Sequence, residues 1–215
     1  MPGARSSDRE HTLPFPFQYT ACPRFRLHPC HLEWGRAHSA AMNENLRSIL
    51  TGTAALWLGA AIALLLTILR GPVDGDLAGR EQTARLFLLG LAVQSLHFME
   101  EFVTHFPERF PALLGLPPWS ESFFVTFNLI WLSVWILSAI DLERGYRLAL
   151  FPVWFFATAA IANGIAHPML AVISHGYFPG LVTAPVLGVL GVLLWLSLLA
   201  LTGNRKVGLV TDGAK

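Results

Sequence analysis

The chain is short of charge and nearly free of cysteine. Only 13% of its 215 residues are Asp, Glu, Lys or Arg, whereas a soluble domain carries about 25%. Its 15 basic and 14 acidic residues balance. The basic ones fall between apolar runs, so no patch is left on which nucleic acid could lie. Cys22 and Cys30 both precede the apolar part, which therefore relies on no disulfide. Their spacing with His28 and His31 fits no standard zinc finger. Residues 1–41 are rich in Arg, Pro and His and contain no apolar run of signal-peptide length.

What remains is apolar: 53% of residues are hydrophobic and the mean hydropathy is +0.51. Five runs are long enough to cross a hydrocarbon core of about 30 Å, at 50–69, 85–105, 122–140, 148–170 and 181–202. This predicts an all-α polytopic membrane bundle of about five spans, with the lipid bilayer as its surroundings. Arg70-Gly71-Pro72 stops the first run, and Gly71–Ala84 reads as a polar loop. Pro107, Pro111, Pro117 and Pro118 are expected to keep the segment after the second run from forming a helix of any length. The fourth run is expected to end near Pro168-Met169-Leu170. Gly188 and Gly191 in the fifth are small enough to let helices approach closely. The expected organisation is a disordered tail or over-extended reading frame at 1–41, a membrane domain at 42–205 starting from Met42, and a short tail at 206–215.

Lys and Arg flank the spans unequally. One side has Arg70, Arg80, Arg85, Arg144, Arg147, Arg205 and Lys206, and the other Arg36, Arg47 and Arg109. The richer side is expected to be cytoplasmic. That places the N-terminus outside and the C-terminus inside a plasma (inner) membrane.

The second run carries four ionisable groups, His97, Glu100, Glu101 and His105, each costing about 2.5–3.5 kcal/mol or more at the bilayer centre. On a helix they share an arc of about 140° with Gln94 and Thr104. Leu91, Phe98, Met99, Phe102 and Val103 fall opposite. The second and fourth runs point toward the same membrane face, so His97, Asn163 and His167 should meet near one depth. Asn128 and the loop residues His175 and Tyr177 are placed close by. His and Glu three or four apart on a helix can share a metal, or a buried Glu can work as an acid/base beside a neutral His. The polar groups could also simply pin helices together. Tyr177 could be an ordinary interfacial aromatic, Thr183 a hydroxyl at a helix start, and Glu108, Arg109 and Glu121 solvated loop charges.

Three segments, His97-Phe-Met-Glu100-Glu101, Asn163-Gly-Ile-Ala-His167 and Tyr177-Phe-Pro179-Gly180-Leu-Val-Thr183, resemble the H-x-x-E-E, N-x-x-x-H and Y-x-P-G-x-x-T motifs of the HXXEE-domain family. The resemblance covers roughly residues 50–202 and implies an integral membrane protein with enzymatic activity of unspecified kind. The residues themselves suggest a divalent metal, zinc or iron, on His97, Glu101, His167 and His175, with Glu100, Glu101, Asn163 and Tyr177 as the catalytic groups and Glu100 as the acid/base. Imidazole with carboxylate suits both metals. Zinc would bring a bound water toward a pKa of about 7 for attack on an ester, amide or similar bond. The substrate would be lipid-like or amphipathic, near the non-cytoplasmic face. A proton- or metal-coupled carrier and an accessory membrane protein are the other classes, but a carrier needs polar groups along its whole path, and the cytoplasmic halves of the runs are almost wholly apolar.

Overall fold

Each apolar run folds as a helix, because with no water to serve the backbone a helix satisfies every peptide group internally. The computed structural model describes residues 42–73 and 77–204. The tails expected at 1–41 and 206–215 lie outside the described residues. The chain order is α1 (Met42–Gly52), α2 (Ala54–Leu69), β1 (Arg70–Val73), α3 (Leu77–Val103), α4 (Phe106–Leu113), α5 (Glu121–Glu143), a 3-10 turn (Arg147–Ala149), α6 (Leu150–Ile173), α7 (Ala184–Leu201) and β2 (Thr202–Asn204). Four helices are long and apolar enough to cross a membrane, five if α1 and α2 count as one span. The protein has the helices of an integral membrane protein.

Three sequence expectations are corrected. The second span begins at Leu77 instead of 85, so most of the expected Gly71–Ala84 loop is helix. At 27 residues, or about 40 Å at 1.5 Å per residue, α3 is longer than the hydrocarbon core, and its charged first turns can lie in the interface. There Arg85 pairs with Glu81, while Thr83 turns inward to Ser197 of α7 (2.8 Å). The proline-rich segment does form a short helix, α4. Pro107 sits in its first turn, where the missing N–H would have no partner anyway. Pro111 leaves the Pro107 carbonyl without an intrahelical donor, and the Trp119 N–H takes it instead (2.9 Å). Finally, α6 passes through Pro168 and ends at Ile173.

The first span is broken. α1 and α2 meet at 50° around Thr53, whose hydroxyl donates back to the Ile49 carbonyl (2.7 Å), a pattern that bends helices. Ser48 of α1 donates to the Pro117 carbonyl (2.7 Å) and accepts from the Trp119 indole (3.2 Å). At the other end, β1 pairs antiparallel with β2. Arg70 donates to the Thr202 hydroxyl (3.0 Å) and to the carbonyls of Leu199 (2.7 Å) and Thr202 (2.5 Å), joining the ends of α2 and α7.

The core has two parts. Phe87, Trp154, Phe156, Leu194 and Leu198 belong to a large apolar cluster toward the β1–β2 end. Phe98, Trp119 and Phe124, with Phe106, Phe110 and Phe123 against them, form an aromatic cluster at the opposite end. α6 and α7 pack backbone to backbone: a Cβ on Gly188 would lie 2.8 Å from the Gly164 Cα, and one on Gly164 2.6 Å from the Gly188 Cα. Close approach of small residues replaces the hydrophobic drive that lipid removes. Gly188→Ala should therefore lower stability by about 1–3 kcal/mol, read as a lower midpoint of thermal unfolding in detergent. An unchanged midpoint would mean that the two helices separate freely.

Candidate functional site

The polar face of α3 turns inward. His97, Glu101 and Gln94 are buried, while Met99 and Val103 on the far side are exposed. Phe98, expected on the far side, is buried too, against Phe124 and Phe102. His97 and His167 each lie six residues before the end of their helix, Val103 for α3 and Ile173 for α6, or about 9 Å. They meet at one depth, with ring centroids 4.7 Å apart and planes at 86°. Glu101 Oε1 lies 3.4 Å from the Nε2 of each ring. Exposure is 0% for His97, 2% for His167 and 7% for Glu101, so this triad is closed off by protein.

The outer nitrogens decide what the inner ones carry. His167 Nδ1 faces the Pro179 carbonyl at 2.5 Å. A carbonyl can only accept, so Nδ1 carries a hydrogen. His97 Nδ1 faces the Thr183 hydroxyl at 2.8 Å. That hydroxyl gives its single hydrogen to Glu100 Oε2 (2.5 Å), because a carboxylate can only accept. His97 Nδ1–H must therefore be the donor to Thr183. Both Nε2 atoms are left to face Glu101 with lone pairs, and His97 Nε2 is buried without a hydrogen-bond partner among the described residues. Three acceptors converge with no hydrogen between them. A buried carboxylate so placed is costly unless a cation joins it, either a metal ion or a proton that makes one ring an imidazolium.

Glu100 has a different task. Its Oε1 accepts from the Tyr177 hydroxyl (2.7 Å) and the Val182 N–H (2.9 Å), and its Oε2 from the N–H (2.9 Å) and hydroxyl of Thr183. It holds the head of α7, where N–H groups lack helical partners and the dipole favours an anion. Partial burial and the Glu100 carboxylate hold the Tyr177 phenol above its usual pKa, so it donates at neutral pH. Arg109 of α4, expected to be solvated, ties down the same segment by donating to the Tyr177 carbonyl (2.9 Å) and lying 5.8 Å over the Phe178 ring.

Two expected histidines stand apart. His175 has φ 54° and is exposed. Its N–H bonds to Val172 and that of Gly176 to Ala171, which is the Schellman arrangement at a helix end; His175 fills the left-handed position and is not part of the triad. His105 (φ 62°) is likewise exposed, outside α3, with Glu108 3.9 Å away. Periodicity places a residue on a helix face but does not reveal where the helix stops.

Asn163 does not join the triad. It lines a cavity of about 170 Å³ together with Glu101, Gln94 and Asn128. The Asn128 side-chain amide donates to the Phe124 carbonyl, whereas the side chains of Gln94 and Asn163 make no hydrogen bond among the described residues. Thr183, Pro179 and Gly180 contact the two rings, a role not expected from the sequence, where the Y-x-P-G-x-x-T resemblance is the signal that marks them. No family model matches the chain, and neither a curated protein nor a solved structure matches it.

Gly180 has φ +84°, and a Cβ there would lie 2.6 Å from His167 and 2.7 Å from His97. Gly115 has φ +66° with nothing within 4 Å of such an atom. Gly115→Ala should cost only the backbone term of about 1–2 kcal/mol, while Gly180→Ala should cost about 1–3 kcal/mol beyond that. Equal losses in thermal unfolding would show that the segment does not press on the two rings.

Proposed function

We propose that His97, Glu101 and His167 hold one divalent cation, zinc or iron, and that the protein is a membrane-embedded, HXXEE-type enzyme acting hydrolytically on a lipid-like substrate near the non-cytoplasmic face. The observation that carries this reading is the convergence of two imidazole lone pairs and one carboxylate in a buried place with no hydrogen to share. A tetrahedral site with bonds of about 2.0–2.1 Å has edges of about 3.3–3.4 Å. The two Nε2–Oε1 separations are 3.4 Å, and all three ligand atoms lie within 4.8 Å of one another. Two His and one Glu with a cavity alongside fit an open catalytic site better than a closed structural one.

Such a cation would polarise a carbonyl and activate water. The protein groups supply the rest. Pro179 and, through Thr183, Glu100 hold the two rings in one tautomer and orientation, as hydrogen-bonded partners do around metal-binding histidines. Glu100, with four hydrogen bonds, is thus a positioning residue. Glu101 is the carboxylate left to take a proton at its second oxygen. The free amides of Asn163 and Gln94 can orient a substrate carbonyl in the cavity. The aromatic rings of Phe106 and Phe178, 5.7 and 6.2 Å from the His167 ring, keep bulk water away.

Elemental analysis of the detergent-purified chain tests this. Wild type should carry about one zinc or iron per chain, and His97→Ala and His167→Ala should fall to background. Thr183→Val should weaken binding about 10–100-fold, with Thr183→Ser close to wild type. Added metal at about 100 times its dissociation constant should stabilise the apo protein by about 2.7 kcal/mol. Wild type without metal, with unfolding indifferent to chelator and to added zinc or iron, would leave a proton as the shared cation and favour His/Glu acid–base work.

A further inference from the structure

We infer that the substrate is a neutral lipid with a single long acyl chain, which enters sideways from the bilayer through a cleft between α2 and α5. This rests on the hydrolytic reading for its reacting end only; the route stands on separate observations.

The cavity beside the triad has a neighbour. A second cavity of about 200 Å³ adjoins it, and the two share Thr53, Leu56, Phe123, Phe127, Trp131 and Phe155 as walls. Six shared walls place the two cavities side by side, and the proposed route runs from one into the other. Its inner end is polar, with Glu101, Asn163, Gln94 and Asn128. Its outer end is apolar, with Ile49, Leu50, Trp57 and Ala60 beside the shared walls. Thr53 gives its hydroxyl hydrogen to the Ile49 carbonyl and accepts from the Trp57 indole N–H (3.1 Å), so both polar groups are occupied.

The helix packing explains why the cleft exists. α2 packs on α6, and α5 packs on α3 and α6, but no extensive contact joins α2 to α5. The 50° break turns α1 away from the α2 axis beside the mouth. Leu50 and Trp57 at the mouth are 50% and 63% exposed. On helices of a membrane bundle, a mouth of this composition faces hydrocarbon instead of water. Only an acyl chain meets both needs: it is already there, and it fills a narrow apolar slot.

The inner end chooses the head group. Among the described residues no Lys or Arg lines either cavity, and the one charged side chain is the Glu101 carboxylate. Glu101 offsets one of the two charges of the proposed cation, so a phosphate dianion would meet a net charge of only about +1 and no basic side chain among the described lining residues. An uncharged ester or amide carbonyl would meet the Asn163 and Gln94 amides. Two bulky chains would not pass a slot walled by four aromatic rings.

The probe is a monoacylglycerol with a photoreactive diazirine near the end of a sixteen-carbon chain, added to the full-length, metal-loaded chain in detergent. Labelling should map by mass spectrometry to the facing sides of α2 and α5 around Leu56, Phe127 and Trp131, and excess unlabelled monoacylglycerol should compete it away. Leu56→Trp, which plugs the cleft, should cut labelling at least tenfold with metal content unchanged. Ala159→Leu, which narrows the inner part, serves the same purpose should the first variant fold poorly. The lysophosphatidic acid probe of equal chain length should label the cleft far less. Labelling spread over exposed faces such as Leu137 or Val189, insensitive to both variants, overturns the route. Equal labelling by the phosphate probe overturns the neutral head group. Labelling in the cleft of a protein that binds no metal upholds the route while sinking the metal reading, and a metal-bound protein with an unlabelled cleft does the reverse.

Discussion

Glu100 takes four hydrogen bonds from the segment that leads into α7, and the orientation of the site follows from that grip. Tyr177 and Thr183 are held in place by one carboxylate. Between them lie Pro179, whose carbonyl orients His167, and Gly180, which fits against both rings. Thr183 then passes the constraint to His97. A single ionised group thus sets both histidine tautomers, through the Thr183 hydroxyl on one side and through a turn on the other. Near a membrane interface the interaction also satisfies helix-end N–H groups that hydrocarbon could not serve.

The grip works only because α6 and α7 run close together. Gly164 and Gly188 face each other where any side chain would collide with backbone, so the head of α7 reaches the His167 level of α6. The large apolar cluster toward the β1–β2 end and the aromatic cluster at the other end leave the polar groups between them. Packing here supplies depth and dryness, and hydrogen bonds supply direction. In a low-dielectric setting a satisfied polar network is stiff, and an unsatisfied one is costly. The unsatisfied part is therefore the informative part. Every polar contact around His97 and His167 closes except the three atoms that face one another.

Much of this was legible in the sequence, for physical reasons. Five apolar runs and the charge-poor composition implied the membrane bundle. The 3.6-residue period put His97 and Glu101 on one face, and up-and-down topology put His167 at the same depth. What the sequence hid were events at helix ends and in turns. His105 and His175 follow the same helix ends as His97 and His167 but adopt left-handed backbone at caps, are exposed and stay outside the triad. Thr183 read as a simple helix-start hydroxyl, yet it gives no cap hydrogen bond and bridges Glu100 to His97 instead. Arg109 read as solvated, and it is exposed, but it still fastens the Tyr177 segment. Hydrophobic periodicity cannot see any of these, because each depends on two elements meeting.

The adjacent pair of glutamates illustrates how one helix serves two neighbours. Consecutive residues on a helix point about 100° apart. From α3, Glu101 faces the His167 ring of α6, while Glu100 faces the head of α7. His97, four residues before Glu101 and three before Glu100, lies on the arc between them and contacts both directions, Glu101 through Nε2 and Glu100 through Thr183 and Nδ1. One imidazole therefore connects a saturated carboxylate to an unsaturated one. Turning Glu100 toward His167 would require rotating α3 by about 100°, which would put Met99 where Glu100 now meets the head of α7 and carry Phe98 out of the aromatic cluster. The order histidine, two residues, two glutamates is thus dictated by the positions of α6 and α7 around α3, and the two carboxylates are not interchangeable.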